Sequence, residues 1–276
     1  MNLKDIQNQN DHRKIDINKV GVKNIRYPII VLDKKNKIQH TVATINMYVN
    51  LPHHFKGTHM SRFIEILNTY RQGISIKNLS QILIKMKEKL HSESAHIEIE
   101  FPYFIEKQAP VTRAKSLMEY TCHIWGMHNR KADLIVGVEV PLMTLCPCSK
   151  EISNYGAHNQ RSLVTVKVRF RHFFWIEDLI EIIENCASSE IYPLLKRPDE
   201  KFVTEKAFDN PMFVEDVVRS IGEKLDRDLN VIWYSVESEN LESIHNHSAY
   251  AFIEKDVGNI AEENQYFNRI EADNKF

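Results

Sequence analysis

An order of elements that occurs twice is what most constrains the fold of this chain. Residues 20–32 and 38–50 are rich in apolar and β-branched side chains and flank the polar turn Asp33-Lys34-Lys35-Asn36-Lys37, which reads as a hairpin. After a break at 51–58, Met60, Phe63, Ile64 and Leu67 fall at helical spacing, with Thr58 placed as N-cap. Leu79, Ile82, Leu83, Met86 and Leu90 then form a second helical stripe, and extended segments at 95–106 and 113–128 follow. The second half repeats this order. Strands are expected at 132–143 and 162–171, one helix through Ile176, Leu179, Ile180 and Ile183, another through Val214, Val217, Val218, Ile221 and Leu225, and strands at 229–239 and 247–253. A β-β-α-α-β-β order repeated at a domain-sized offset indicates two copies of one module.

The expected class is therefore α+β, each module an antiparallel four-stranded sheet with a helix pair on one face. The modules are set at 20–130 and 131–255, after a disordered lead at 1–19 rich in Asn, Gln, Asp and Lys, and before a tail at 256–276. Small open sheets leave strand edges exposed, and joining edge to edge into a closed ring removes them, so self-association is expected.

Composition narrows the function. A formal net charge of -1 and a pI near 6.9 give no electrostatic reason to expect a nucleic-acid partner, so an anionic ligand must meet a local basic patch. Four Cys at 122, 146, 148 and 186 are too few and too uneven for a disulfide scaffold, which suggests a reducing compartment. The polar N-terminal stretch has no apolar signal core, and no run of ~18 apolar residues spans a bilayer, so a cytoplasmic protein without a membrane partner is expected.

Chemistry concentrates in residues 145–161, where Cys146-Pro147-Cys148-Ser149-Lys150 runs on to Tyr155-Gly156-Ala157-His158-Asn159-Gln160-Arg161 between two apolar strands. The Cys-Pro-Cys spacing is too tight for a zinc knuckle, so one thiolate sharing an ion with His158, or acting as a nucleophile, is the alternative to an inert loop thiol. Glu200, in the polar stretch Pro198-Asp199-Glu200-Lys201 read as a loop between helices, would by itself be a solvated carboxylate. Glu215 sits in the first turn of a helix, where the macrodipole alone would account for it. His245 and His247, read at the opening of the last strand, share one face. The stretch from His53 to His59 leads into a helix N-terminus, a natural anion site or simply a capping turn.

Together with His54-Phe55-Lys56-Gly57-Thr58-His59-Met60-Ser61-Arg62 upstream and Ser243-Ile244-His245-Asn246-His247 downstream, the long Cys146-to-Arg161 motif resembles that of the IB type of GTP cyclohydrolase, over residues 20–255. The resemblance implies the tunnelling fold in tandem, a homotetramer with active sites at subunit interfaces, and conversion of GTP and water to 7,8-dihydroneopterin triphosphate and formate, which opens folate and, in some organisms, queuosine synthesis. Carried over by motif, it implies Cys146, His158, Glu200 and His245 as ligands of one divalent ion per site, zinc, manganese or iron, since mixed S, N and O donors do not choose among them. Within that chemistry His247 is the expected proton shuttle and Glu215 the bidentate acceptor of guanine N1–H and N2–H. Lys150, Arg161, Lys56 and Arg62 are the expected triphosphate cations. Two rivals stay open at this point: a tunnelling-fold enzyme on another purine-like substrate with Cys146 as covalent nucleophile, as in the nitrile reductases, and a non-catalytic nucleotide-binding oligomer.

Overall fold

The computed structural model describes residues 7, 9–70 and 74–258. Those residues form two compact units, the first drawn from the ranges 1–102 and 123–135, the second from 103–122 and 136–258. The tail expected at 256–276 lies outside the described residues beyond 258, as do positions 1–6 and 8 of the lead.

In the first unit, β1 (Ile17–Asp33) pairs antiparallel with β2 (Lys37–Leu51), so the strand begins three residues before the expected Val20. Next come α1 (Met60–Thr69) and α2 (Leu79–Leu90), then the first half of β3 (Ala95–Gln108), which pairs antiparallel with β2. Period-two alternation buries Ala43, Ile45, Met47, Val49 and Leu51 along β2, and the register sets Ile45 opposite Ile99 and Met47 opposite Ile97. The α2 stripe of Leu79, Ile82, Leu83, Met86 and Leu90 is buried as its spacing required. Burying each such side chain contributes roughly 1.5–3 kcal/mol, well above the ~0.7 kcal/mol range of helix propensity among ordinary residues. In α1 the outcome differs. The buried residues are Phe63, Ile66 and Leu67, while Met60 and Ile64 are 42% and 41% exposed, and the N-cap is His59 without a side-chain cap bond. Thr58 is buried one residue too early to cap.

The second half of β4 (Lys115–His128) and the start of β5 (Ala132–Leu145) complete the first unit, and the remainder of β3, β4 and β5 belongs to the second. There, β5 pairs antiparallel with β6 (Asn159–Phe170), preceded by the short helix α3 (Pro147–Ile152). Helix α4 (Ile176–Glu184), the two-residue strand β7 (Ser189–Glu190), which pairs with β5, α5 (Arg197–Asp209) and α6 (Val214–Arg227) follow. β8 (Val231–Glu242) pairs with β6, and β9 (Ser248–Asp256) with β8, all antiparallel. The α4 and α6 stripes are buried as expected. At Gly222 of α6 an added Cβ would stand 2.6 Å from Ile253 Cδ1 of β9, a distance only glycine permits without displacing that side chain.

Two expectations are corrected. The stretch 198–201 is not a loop but the first turn of α5, entered through Pro198 in the position where proline's missing N–H costs nothing. His245 and His247 lie in the turn between β8 and β9 and not in a strand.

Along β5, β6 and β8 of the second unit the inward face changes character. Val166, Val168 and Val236 are buried toward one end, whereas Thr144, Ser162, Ser238 and Asn240 are buried toward the other. The polar group is internally satisfied: Thr144 Oγ1 and Ser162 Oγ are 3.0 Å apart, and Asn240 Nδ2 donates to Thr144 Oγ1 at 3.2 Å. That polar end is where the Cys146 loop begins.

Candidate active site

Strand β5 delivers Cys146 as the N-cap of α3, in extended conformation, with its Sγ accepting from Ser149 N at 3.4 Å. Pro147 follows in the first helical turn and stiffens the approach. The loop closes on itself: Cys146 N donates to His158 O at 3.1 Å, and Ser149 Oγ accepts from His158 N at 3.2 Å while donating to Cys146 O at 3.2 Å. Gly156, at φ +132°, takes the backbone through a region that L side chains rarely enter, which lets the chain turn back to β6. Cys146 is half-buried and its Sγ is held by the Ser149 amide, whereas Cys148 is exposed.

The His158 side chain is only 12% exposed, and its buried Nδ1 has no hydrogen-bond partner. Glu242 Oε2, on a side chain 13% exposed, lies 3.8 Å from that nitrogen. Glu242 ends β8 directly opposite Gln160 in the β6–β8 register, and its main-chain carbonyl accepts from His245 N at 3.4 Å. His245 and His247 are both exposed, with their rings stacked 5.0 Å apart. Cys146, His158 and the root of the His245 turn thus share one end of the paired strands β5, β6 and β8.

The remaining expected residues are spread more widely, although Lys150 stays in α3 with its amide on Cys146 O and Arg161 stays on β6. Glu200 is exposed in the first turn of α5. Lys150 Nζ donates to the carbonyl of Phe208, near the other end of that helix, and sits 4.4 Å above the Phe208 ring. Eight residues at 1.5 Å rise put Glu200 about 12 Å along the axis from that contact. Asp199, beside Glu200, is fully buried and accepts from Val111 N, Thr112 N, Thr112 Oγ1 and Lys196 N at 2.6–2.9 Å. Burial pushes its pKa up, but the Thr112 hydroxyl and the main-chain amides outweigh that and hold it well below the usual carboxylate range. Glu215 is exposed in the first turn of α6, and Arg161 is exposed on β6. Lys56 and Arg62 belong to the first unit, where Arg62 donates to Lys89 O at 2.9 Å and the Lys56 amide donates to Gln9 O.

Among the described residues no group of three or more His, Cys, Asp or Glu side chains is gathered closely enough to hold an ion. Cys146 and His158 are brought together, His245 is placed near them by its turn, and Glu200 is not. Two residues that matter here were missed by sequence reasoning. Glu242 could have been found by continuing the inward alternation Val236, Ser238, Asn240 by one step, and Asp199 by reading Pro198 as a helix start. No helix among the described residues is long and apolar enough to cross a membrane.

The chain resembles solved structures in fold. A uricase from Arthrobacter globiformis superimposes with a TM-score of 0.50 at 8% identity, covering 89% of this chain and 94% of that one. A urate oxidase of Bacillus sp. TB-90 gives 0.50 at 10% identity, covering 87% and 98%. At such identities the likeness speaks for the fold alone, the tunnelling fold. Sequence relatives are far closer: "GTP cyclohydrolase FolE2" of Geotalea uraniireducens (strain Rf4) is 64% identical over 254 residues, 92% of this chain and 94% of that protein. The protein of the same name from Syntrophus aciditrophicus (strain SB) is 64% identical over 253 residues, 91% of this chain and 99% of its own length. The family described as "Type I GTP cyclohydrolase folE2" matches residues 3–251, and the chain belongs to it.

Proposed function

We propose that the protein hydrolyses GTP to 7,8-dihydroneopterin triphosphate and formate, an opening step of tetrahydrofolate synthesis that in some organisms also serves queuosine. The observation that carries this is membership of the cyclohydrolase family across nearly the whole chain, with the Cys146–His158 loop intact and closed on itself. We place one divalent ion, zinc, manganese or iron, with Cys146, His158, Glu200 and His245. The half-buried Cys146 thiol and the His158 imidazole, on residues fastened main chain to main chain, suit such an ion in chemistry. Glu200 and His245 are exposed, and the four are not gathered within one chain, which agrees with sites completed at the subunit interfaces of a homotetramer. Bound there, a divalent ion lowers the pKa of a water from about 15.7 toward ~7 and so supplies a nucleophile at neutral pH.

The chain's own residues do the rest. Glu215 is exposed at the start of α6, and its carboxylate accepts guanine N1–H and N2–H together, a pair of donors that adenine lacks. His247, stacked on His245, takes and returns protons as water adds at C8, the imidazole ring opens and formate leaves. Lys150, Arg161, Lys56 and Arg62 meet the triphosphate. For Lys150 and Arg62 this means exchanging a neutral carbonyl, of Phe208 and Lys89 respectively, for an anion, which a charge-assisted bond favours. The reaction is placed in the cytoplasm.

The test is incubation of the purified protein with GTP or ATP and Mn²⁺, Zn²⁺ or Fe²⁺, followed by formate assay and pterin fluorescence after oxidation. Formate from GTP alone, abolished by verified metal removal and restored by readdition, is the expected result. Full activity without metal would instead favour a Cys146-centred covalent chemistry, and tight GTP binding without turnover a non-catalytic oligomer.

A further inference from the structure

We infer that Glu242 is the positioning residue of His158: its carboxylate accepts the Nδ1–H proton and thereby leaves Nε2 as the nitrogen presented for coordination. The inference rests on the reading of His158 as a ligand, but its geometry stands apart from that reading. His158 Nδ1 is buried without a hydrogen-bond partner, and a buried ring nitrogen left unpaired is the kind of group that native proteins satisfy. Among the described residues, the basic group within 4 Å of the Glu242 carboxylate is this imidazole, at 3.8 Å. The gap is slightly longer than a hydrogen bond, within reach of a small side-chain rotation.

The fold holds both partners to this arrangement. Glu242 is set by strand register, directly opposite Gln160 on β6, and it continues the buried polar series Ser238 and Asn240 on the inward face of β8. His158 immediately precedes β6 and is clamped at both main-chain groups, its carbonyl to Cys146 N and its amide to Ser149 Oγ. Beneath them the Thr144–Ser162–Asn240 hydrogen bonds fix the three strand ends. The turn that follows Glu242 is held through its main-chain carbonyl, so the carboxylate itself is not needed for that task. A carboxylate on the second nitrogen of a coordinating imidazole orients the ring, selects its tautomer and raises its basicity.

The experiment uses the full-length chain labelled with [¹⁵N]histidine, stripped of metal, at about pH 8, where an ordinary imidazole is neutral. The His158 resonances, assigned by their loss in His158→Gln, report which nitrogen carries the proton. The expected result is Nδ1–H in the parent protein and in Glu242→Gln, whose amide oxygen still accepts, and a shift toward Nε2–H in Glu242→Leu. Zn²⁺ titration of the same proteins should show about 10- to 100-fold weaker binding for Glu242→Leu and a smaller loss for Glu242→Gln. An Nε2–H proton in the parent chain overturns the inference whether or not the variants fold, and so does an unchanged Nδ1–H in a folded Glu242→Leu protein, whatever its Zn²⁺ affinity. If the tautomer responds as stated while His158→Gln binds Zn²⁺ as tightly as the parent, the positioning of His158 by Glu242 stands and its assignment as a ligand falls.

Discussion

The amide of Cys146 donates to the carbonyl of His158 at 3.1 Å, so the two ends of the motif loop are fastened main chain to main chain and not through their side chains. The thiol and the imidazole are therefore left available for chemistry while their backbones are already positioned. Pre-organised ligands of this kind bind without the ordering cost that a flexible loop would incur.

That fastening predicts a clean separation of the two thiols. Cys146→Ser leaves the 3.1 Å amide bond in place and replaces a thiolate by a poorly coordinating hydroxyl, so bound metal and activity should fall together while the fold persists. Cys148 is exposed and makes no part of the loop closure, so Cys148→Ser should retain both. Metal analysis beside GTP turnover decides it, and full metal content with full activity in Cys146→Ser would rule out the assignment.

Glu215 should behave differently from the ligands. Exposed in the first turn of α6, it is proposed to meet the base and not the ion, and Glu215→Gln would turn one acceptor into a donor facing a guanine donor. Leaving such a group unpaired costs about 1–3 kcal/mol, more where charge is involved, so kcat/KM for GTP should drop on the order of ten- to several-hundred-fold. Metal occupancy should be unchanged. A metal-free Glu215→Gln protein would contradict this division of roles.

Much of this was legible in the chain because the strands obey period two and four of the helices carry long apolar stripes. The alternation through Ala43, Ile45, Met47, Val49 and Leu51 and the α2 and α6 stripes are strong signals that burial simply realises. Helix α5 gave no such signal. Its buried side is Asp199, Val203 and Ala207, one carboxylate and two small residues, so no apolar period betrays it, and the polar stretch 198–201 reads as a loop. The partnership of His158 with Glu242 was hidden for another reason: it depends on the register between β6 and β8, which is set by pairing between distant segments and not by any local pattern. Motif resemblance supplied His158 and His245 but not Glu242, whose carboxylate lies 3.8 Å from His158 Nδ1.

Asp199 yields a pH-dependent prediction. Its folded-state pKa is held down by the Thr112 hydroxyl and the amides of Thr112, Lys196 and Val111 against the opposing effect of burial, so the unfolded chain, with a pKa near ~3.9, takes up the proton first as pH falls. The contribution is thus complete above roughly pH 5 and is lost progressively below it. Asp199→Asn keeps a single acceptor oxygen for four donors and should lower Tm by several degrees near pH 7, on the order expected for a lost buried network. Because the variant has no such proton to take up, its deficit should shrink as melts are repeated toward about pH 3. A deficit that stays constant from pH 7 down to about pH 3 would show that the carboxylate's charge is not what holds the turn at 111–112 to α5.

The last prediction concerns assembly, which the proposed site requires. In the second unit β9 is paired with β8, and it presents Tyr250 and Phe252 at 58% and 48% exposure on one face. A strand edge bearing two exposed aromatics is a template for further pairing, and soluble proteins cover such edges or burden them with charge. A second copy of this chain is the proposed cover, bringing exposed Glu200 and His245 into shared sites. Light scattering at micromolar concentration should therefore give four times the 32.4 kDa chain mass. Phe252→Lys places a charge on that face without touching any proposed ligand or base contact, and it should shift the population toward smaller species with loss of turnover in proportion. A stable monomer with undiminished GTP turnover, in the parent protein or in Phe252→Lys, would mean that one chain completes its own site and that neither the edge nor a second copy is needed for it.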